Sequence, residues 1–187
     1  MRKGLRVAAA MMLTGLVACA SSPDIKAGWD TNVDFSKYYT WEWKPDGSIR
    51  DAVWAKRCQS VLGDVLATKK LAPINVNPDL WVVVHARLSS ETVVVPYDSS
   101  WGYTWGAWAM ANFPGEAQIP VGTIVVDLVD ARRKVLVFRG RAHGAIAADK
   151  TNEQREQRLT QILTEMFAGY PPTSSASKQA ALGAPTP

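Results

Sequence analysis

Gly122-Thr123-Ile124-Val125-Val126-Asp127-Leu128-Val129-Asp130 leads through Ala131-Arg132-Arg133 into Lys134-Val135-Leu136-Val137-Phe138-Arg139-Gly140-Arg141-Ala142-His143. Two β-branched, apolar runs joined by a short polar segment read as an antiparallel hairpin, and Asp130 suits the first position of its turn. On the first strand, taken as 121–129, Ile124, Val126 and Leu128 share one face, and Thr123, Val125 and Asp127 share the other. On the second, Leu136, Phe138 and Ala142 are expected on one face, and Val135, Val137, Arg139, Arg141 and His143 on the opposite one. The hairpin therefore has one apolar face and one face dominated by charge.

Working outward, Leu80 to Leu88 repeats this pattern. Val82, Val84, Ala86 and Leu88 point one way, and Trp81, Val83, His85 and Arg87 the other. Thr92 to Val95 is a possible continuation. Tyr39, Trp41 and Trp43 alternate with polar residues and mark a strand over 35–44, closed by the turn residues Pro45-Asp46-Gly47. A helix capped by Ser48 is expected to run to about Thr68, with Val61, Leu62, Val65 and Leu66 on its apolar face and Cys58 among them as a buried thiol. Thr151-Asn152-Glu153-Gln154 is a capping box, and Leu159, Ile162, Leu163, Met166 and Phe167 follow at helical spacing before Pro171-Pro172. The expected fold class is α+β, two-layer: a four- or five-stranded, mostly antiparallel sheet with two helices on one face. The opposite face would present His85, Arg87, Asp127, Arg139 and Arg141 to solvent as cross-strand charge pairs.

The N-terminus carries Arg2, Lys3 and Arg6 ahead of an apolar run, Val7 to Val17, too short to span a bilayer. Leu16-Val17-Ala18-Cys19 closes that run and resembles a lipobox. The resemblance implies a signal peptide over 1–18 and lipidation of Cys19, two acyl chains being enough for a stable anchor. Ala20, rather than Asp, follows Cys19, which in a Gram-negative host implies the outer membrane. Residues 19–30 read as a lipidated tether, 31–172 as the domain, and 173–187, rich in Ser, Ala, Gly and Pro, as a disordered tail. The formal net charge of +4 is largely the leader's: without its three cations, the 21 basic residues become 18 against 17 acidic ones. Charge thus gives no support for nucleic-acid binding. With Cys19 lipidated, Cys58 has no intrachain partner.

No Gly-x-Ser-x-Gly, phosphate loop or zinc-like cysteine and histidine spacing is present, so neither enzyme chemistry, cofactor nor metal is expected. An envelope hydrolase would require the two histidines, His85 and His143, to converge with Asp127. The segment 96–120 is unusual, placing Trp101, Tyr103, Trp105, Trp108 and Phe113 among glycines. Two readings stand. The rings form a contact surface for lipid, glycan or protein, or they close over the sheet as a flap with a small core of its own. The candidate binding residues are Trp101, Tyr103, Trp105, Trp108, Asp127 and Arg139.

Several stretches resemble a family of small bacterial lipoproteins known as domain of unknown function DUF4136. They are Asp34-Phe35-Ser36 with Tyr39-Thr40-Trp41, Asn77-Pro78-Asp79-Leu80, the 122–130 strand, and Val137-Phe138-Arg139-Gly140. The likeness covers roughly Thr31 to Pro172, with Phe138 standing where the family favours Trp. It implies an envelope lipoprotein with an α+β domain and carries over no catalytic residue. The expected function is a non-enzymatic binding or scaffold module, anchored in the outer membrane by lipid on Cys19 and facing the periplasm. Its partner would be an envelope protein or a lipid. The alternative is a lipid or glycolipid carrier with an apolar pocket beneath the flap.

Overall fold

A computed structural model describes residues 22–45, 49, 51–87, 102–114, 122–144 and 151–172. The leader, Cys19, Ser48, the possible extension at 92–95, Trp101 and the 173–187 tail lie outside them. Six strands form one mixed sheet: β1 (Asp24–Trp29), β2 (Thr40–Pro45), β3 (Ala72–Pro73), β4 (Leu80–Arg87), β5 (Thr123–Asp130) and β6 (Val135–His143), in the order β1-β6-β5-β4-β2-β3. Helices α1 (Ala52–Thr68) and α3 (Asn152–Met166) pack on one face, and the short α2 (Ala107–Asn112) belongs to a second, smaller core. Among the described residues no helix is long and apolar enough to cross a membrane.

The hairpin is as expected, with Asp127 opposite Arg139 and Thr123 opposite His143. β4 pairs antiparallel with β5 on its other side. The sheet has six strands rather than four or five and differs from expectation in three ways, the first being that the two-residue β3 joins it parallel to β2. β2 runs parallel to β4, because α1 carries the chain back to the same end before β4 starts. Residues 24–29, read as tether, are instead an edge strand antiparallel to β6. Its alternating residues Ile25 and Trp29 pack against the main core, so these residues belong to the domain.

Local chemistry accounts for the element ends. Phe35–Lys37 is a single 3-10 turn rather than strand, begun by Asp34, whose carboxylate accepts from Ser36 N–H. Asp51, not Ser48, caps α1, accepting from Val53 and Trp54 N–H. The capping box opens α3, with Thr151 accepting from Gln154 N–H and the Gln154 side chain accepting in return from Thr151 N–H. In the main core, Phe138 stacks on Phe167 at 5.0 Å and meets Tyr170 edge-on at 5.6 Å.

A bulge corrects the expected facing of β6. Leu128 pairs with Phe138 but Val129 pairs with Leu136, so Val137 is an extra residue. Side chains before it exchange faces. Leu136 joins the smaller core, and Val137 joins the helix-side core with Phe138.

Candidate functional site

The charged face of the hairpin is covered rather than solvated. Asp127 and His85 have 0 % exposure and Arg139 has 1 %. The cover is the aromatic segment. Tyr103, Trp105, Ala109 and Phe113 are buried with Val83, Val125, Val129 and Leu136 as the second core, and Trp108 is half-buried at its edge. Strand pairing brings Arg139 beside Asp127, and β4 contributes His85 two residues along. Arg139 donates to Asp127 through Nε (2.6 Å) and Nη2 (2.5 Å), each to a different carboxylate oxygen. Tyr103 Oη donates to Asp127 Oδ2 at 2.8 Å. His85 Nε2 stands 3.2 Å from both that oxygen and the Tyr103 hydroxyl. With the phenol proton given to Asp127, both contacts require a proton on Nε2. The Arg139 guanidinium lies 3.7 Å from the Trp105 ring centroid, a cation–π contact that seals it from water.

Burial alone would push the Asp127 carboxyl up. The Arg139 charge, with hydrogen bonds from Arg139 and His85, outweighs it and holds the group well below the usual carboxylate range. The cluster is then a carboxylate neutralised by a guanidinium, with a phenol and an imidazole completing its hydrogen bonds. Its groups are engaged with one another, and the flap is hung on them. Of the candidate residues, Tyr103, Trp105, Asp127 and Arg139 are thus brought together in the interior, and Trp108 anchors the flap by donating from Nε1 to Leu136 O at 3.1 Å. These rings form a flap with its own core, so the contact-surface reading is corrected for Tyr103 and Trp105.

His143 does not join this cluster. Its Nδ1 is 2.9 Å from Thr123 Oγ1, four residues along β5 from Asp127, or roughly 13 Å at strand rise. The convergence needed for a hydrolase is absent. Arg141 pairs with Asp24 at 2.8 Å. Cys58 is buried in α1, and desolvation pushes its thiol up to about 12, so it is a poor nucleophile.

A second site, not anticipated from the sequence, lies at the far end of the sheet. A pocket of about 520 Å³ is lined by Asn32, Val33, Asp34, Lys37, Tyr38 and Asp79, with Asp130, Arg132 and Arg133. Its carboxylates are fixed in place. Asp79 accepts from Tyr39 N–H, Thr40 N–H and Thr40 Oγ1 at 2.9–3.0 Å. Asp130 accepts from Arg132 and Arg133 N–H, from Arg133 Nε and from Tyr38 Oη. Burial and the bond to Asp130 push the Tyr38 phenol up to about 12. The signal for this site was dispersed: Asp130 read as a local turn residue, Asp34 and Asp79 stood only within stretches that carry the family resemblance, and nothing in their spacing shows that the three meet.

Comparison with known proteins bears on the whole domain. A family model, described as domain of unknown function (DUF4136), matches residues 25–172. The fold is similar to the crystal structure of a DUF4136 family protein from Bacteroides thetaiotaomicron, with a TM-score of 0.51 at 12 % identity over 77 % of this chain and 95 % of that one. It is also similar to a PDZ domain protein from Parabacteroides distasonis, with a TM-score of 0.50 at 11 % identity over 80 % of this chain and 36 % of that one. A comparison with curated proteins finds no match.

Proposed function

The chain belongs to the DUF4136 family, and from that premise we propose that it is a non-enzymatic binding module of the bacterial envelope, held in the outer membrane by lipid on Cys19 and facing the periplasm. The observation that carries the binding part of this reading is the pocket of about 520 Å³ bounded by Tyr38, Asp79, Asp130 and Arg132. Its volume lies within the range of about 300–1,000 Å³ usual for ligand sites. Its carboxylates are immobilised by several hydrogen bonds each, so little side-chain entropy is lost when a partner docks. Three carboxylates (Asp34, Asp79 and Asp130) and three cations (Lys37, Arg132 and Arg133) line it, which suits a polar protein segment bearing both charges better than an acyl chain. The buried Asp127–Arg139 pair supports the non-enzymatic reading, since its groups are sealed from solvent and balanced against each other. Tyr103, Trp105 and Phe113 occupy the space beneath the flap where a lipid carrier would need a cavity.

Photo-crosslinking in cells tests this reading, with the photoreactive residue placed in turn at Arg132 on the pocket rim and at Met110 on the exposed outer side of α2. A dominant protein adduct from position 132 alone is the expected outcome. A lipid or glycolipid adduct would put the carrier reading first. An equally strong protein adduct from position 110 would move the contact surface to the flap.

A further inference from the structure

The short stretch between Cys19 and the sheet determines how the domain meets the membrane. Four residues separate Cys19 from Asp24, the first residue of β1. Five Cα–Cα steps reach at most about 18 Å when extended, and about 12 Å as a coil. That is shorter than the domain is wide, since a compact chain of this size has a radius of gyration of roughly 15 Å. The attachment point is therefore a corner of the sheet.

Strand pairing shows which corner. Asp24 lies opposite His143, His143 opposite Thr123, and Thr123 opposite Arg87, so one row across β1, β6, β5 and β4 marks the end where the chain arrives. The polar pocket sits at the other end. Asp130 is seven residues beyond Thr123 on β5, about 23 Å farther along the sheet. Among the described residues of this row and the next polar row inward, Lys26, Arg87 and Arg141 are cations of the kind phosphate headgroups attract, Arg141 being paired with Asp24.

We propose that the domain rests with the sheet end bearing Asp24, Arg87 and His143 against phospholipid headgroups, so that the pocket lined by Tyr38, Asp79, Asp130 and Arg132 opens away from the membrane. This orientation rests on the lipidation of Cys19. It adds to that reading which surface is occupied by the bilayer and which is left for a partner.

The test uses the full precursor, processed in a lipoprotein-making host and purified with whatever lipid it carries. His143→Cys and Arg132→Cys variants, both at exposed positions, are labelled with a fluorophore, while the buried Cys58 stays unreactive. Each is reconstituted into phosphatidylethanolamine–phosphatidylglycerol vesicles containing lipid with a nitroxide on its headgroup. The expected result is several-fold stronger quenching at position 143 than at 132. Equal quenching, or stronger quenching at 132, with Cys19 shown by mass spectrometry to carry diacylglycerol, overturns the orientation and leaves the anchor standing. A mature N-terminus without lipid overturns the anchor itself, and the orientation with it.

Discussion

Asp127 shows how far a single residue can be read. Its alternation on β5 correctly predicts that it shares a face with Arg139, and the hairpin register makes them partners. That the face is covered was not legible. Burial there is decided by Tyr103 and Trp105, which belong to a remote segment whose aromatic rings fit a contact surface as well as a flap. Covering the pair changes its energetics. An exposed cross-strand ion pair is worth about 0.2–1 kcal/mol, whereas removing one partner of a buried pair costs about 3–5 kcal/mol because the other charge is left unpaired. Asp127→Asn is therefore expected to lower unfolding free energy by about 3–5 kcal/mol, measured by urea denaturation. The pH dependence has a definite sign. The folded carboxyl titrates below its unfolded value, so the folded state binds the proton less readily. Its contribution is fully present above the unfolded value of about 3.9 and is lost as pH falls below it. The variant's stability is expected to fall less steeply than the parent's below about pH 4.

At the scale of elements, the periodic segments were legible and their directions were not. α3 follows from its capping box and apolar spacing, and β4 and β5 from strict alternation. Periodicity is blind to strand direction, so the parallel pairing of β2 with β4 had no signal beyond the length of the connection between them. It is also blind to an inserted residue, and the bulge at Val137 exchanged the faces of Leu136 and Val137. The docking of α3 on β6 depends on a position that read as unremarkable. A Cβ added at Gly140 would collide with Met166 Cγ and Sδ. Gly140 opposes Val126 inside a fully paired strand, so the backbone has little room to yield. Gly140→Ala is expected to cost about 1–3 kcal/mol by overpacking. Met166→Ala alone should cost about 2–5 kcal/mol by leaving a cavity. Together the two should cost less than their sum, since the new methyl fills part of the space Met166 vacates. Strictly additive values in a double-mutant cycle would show that this contact does not set the helix–sheet distance.

For the whole molecule, the decisive strand is the one the sequence concealed. β1 is short, carries Lys26, Ala27 and Gly28 at its centre, and follows a Ser-Ser-Pro stretch, so its composition is that of a linker. Position in the fold makes it a tie between all the layers. Ile25 and Trp29 pack on the helix-side core. Lys26 Nζ bonds to Asn112 O at the end of α2 and lies 4.8 Å from the Phe113 ring centroid. Gly28 lies under the flap, where a Cβ would stand 3.0 Å from Phe113. β1 also covers the outer edge of β6, and Thr104 continues that cover where β1 stops, accepting from Leu136 N–H at 2.9 Å. A chain beginning at Thr31 would look complete by composition but would lack this tie. Half-burial of Ile25 and Trp29 accounts for roughly 1–1.5 kcal/mol each, and each ladder hydrogen bond adds about 0.5–1.5 kcal/mol. The loss of about 4 kcal/mol or more is a large part of the roughly 5–15 kcal/mol typical of a domain. It would also leave β6 as a bare edge beside a loosened aromatic flap, which invites pairing between molecules. Compared with a chain beginning at Ser22, the Thr31 chain is expected to unfold at lower urea concentration and to elute from size exclusion as dimers or larger species. If the two chains matched in both measurements, β1 would be an accessory strand, and the short tether would no longer constrain how the rest of the domain faces the membrane.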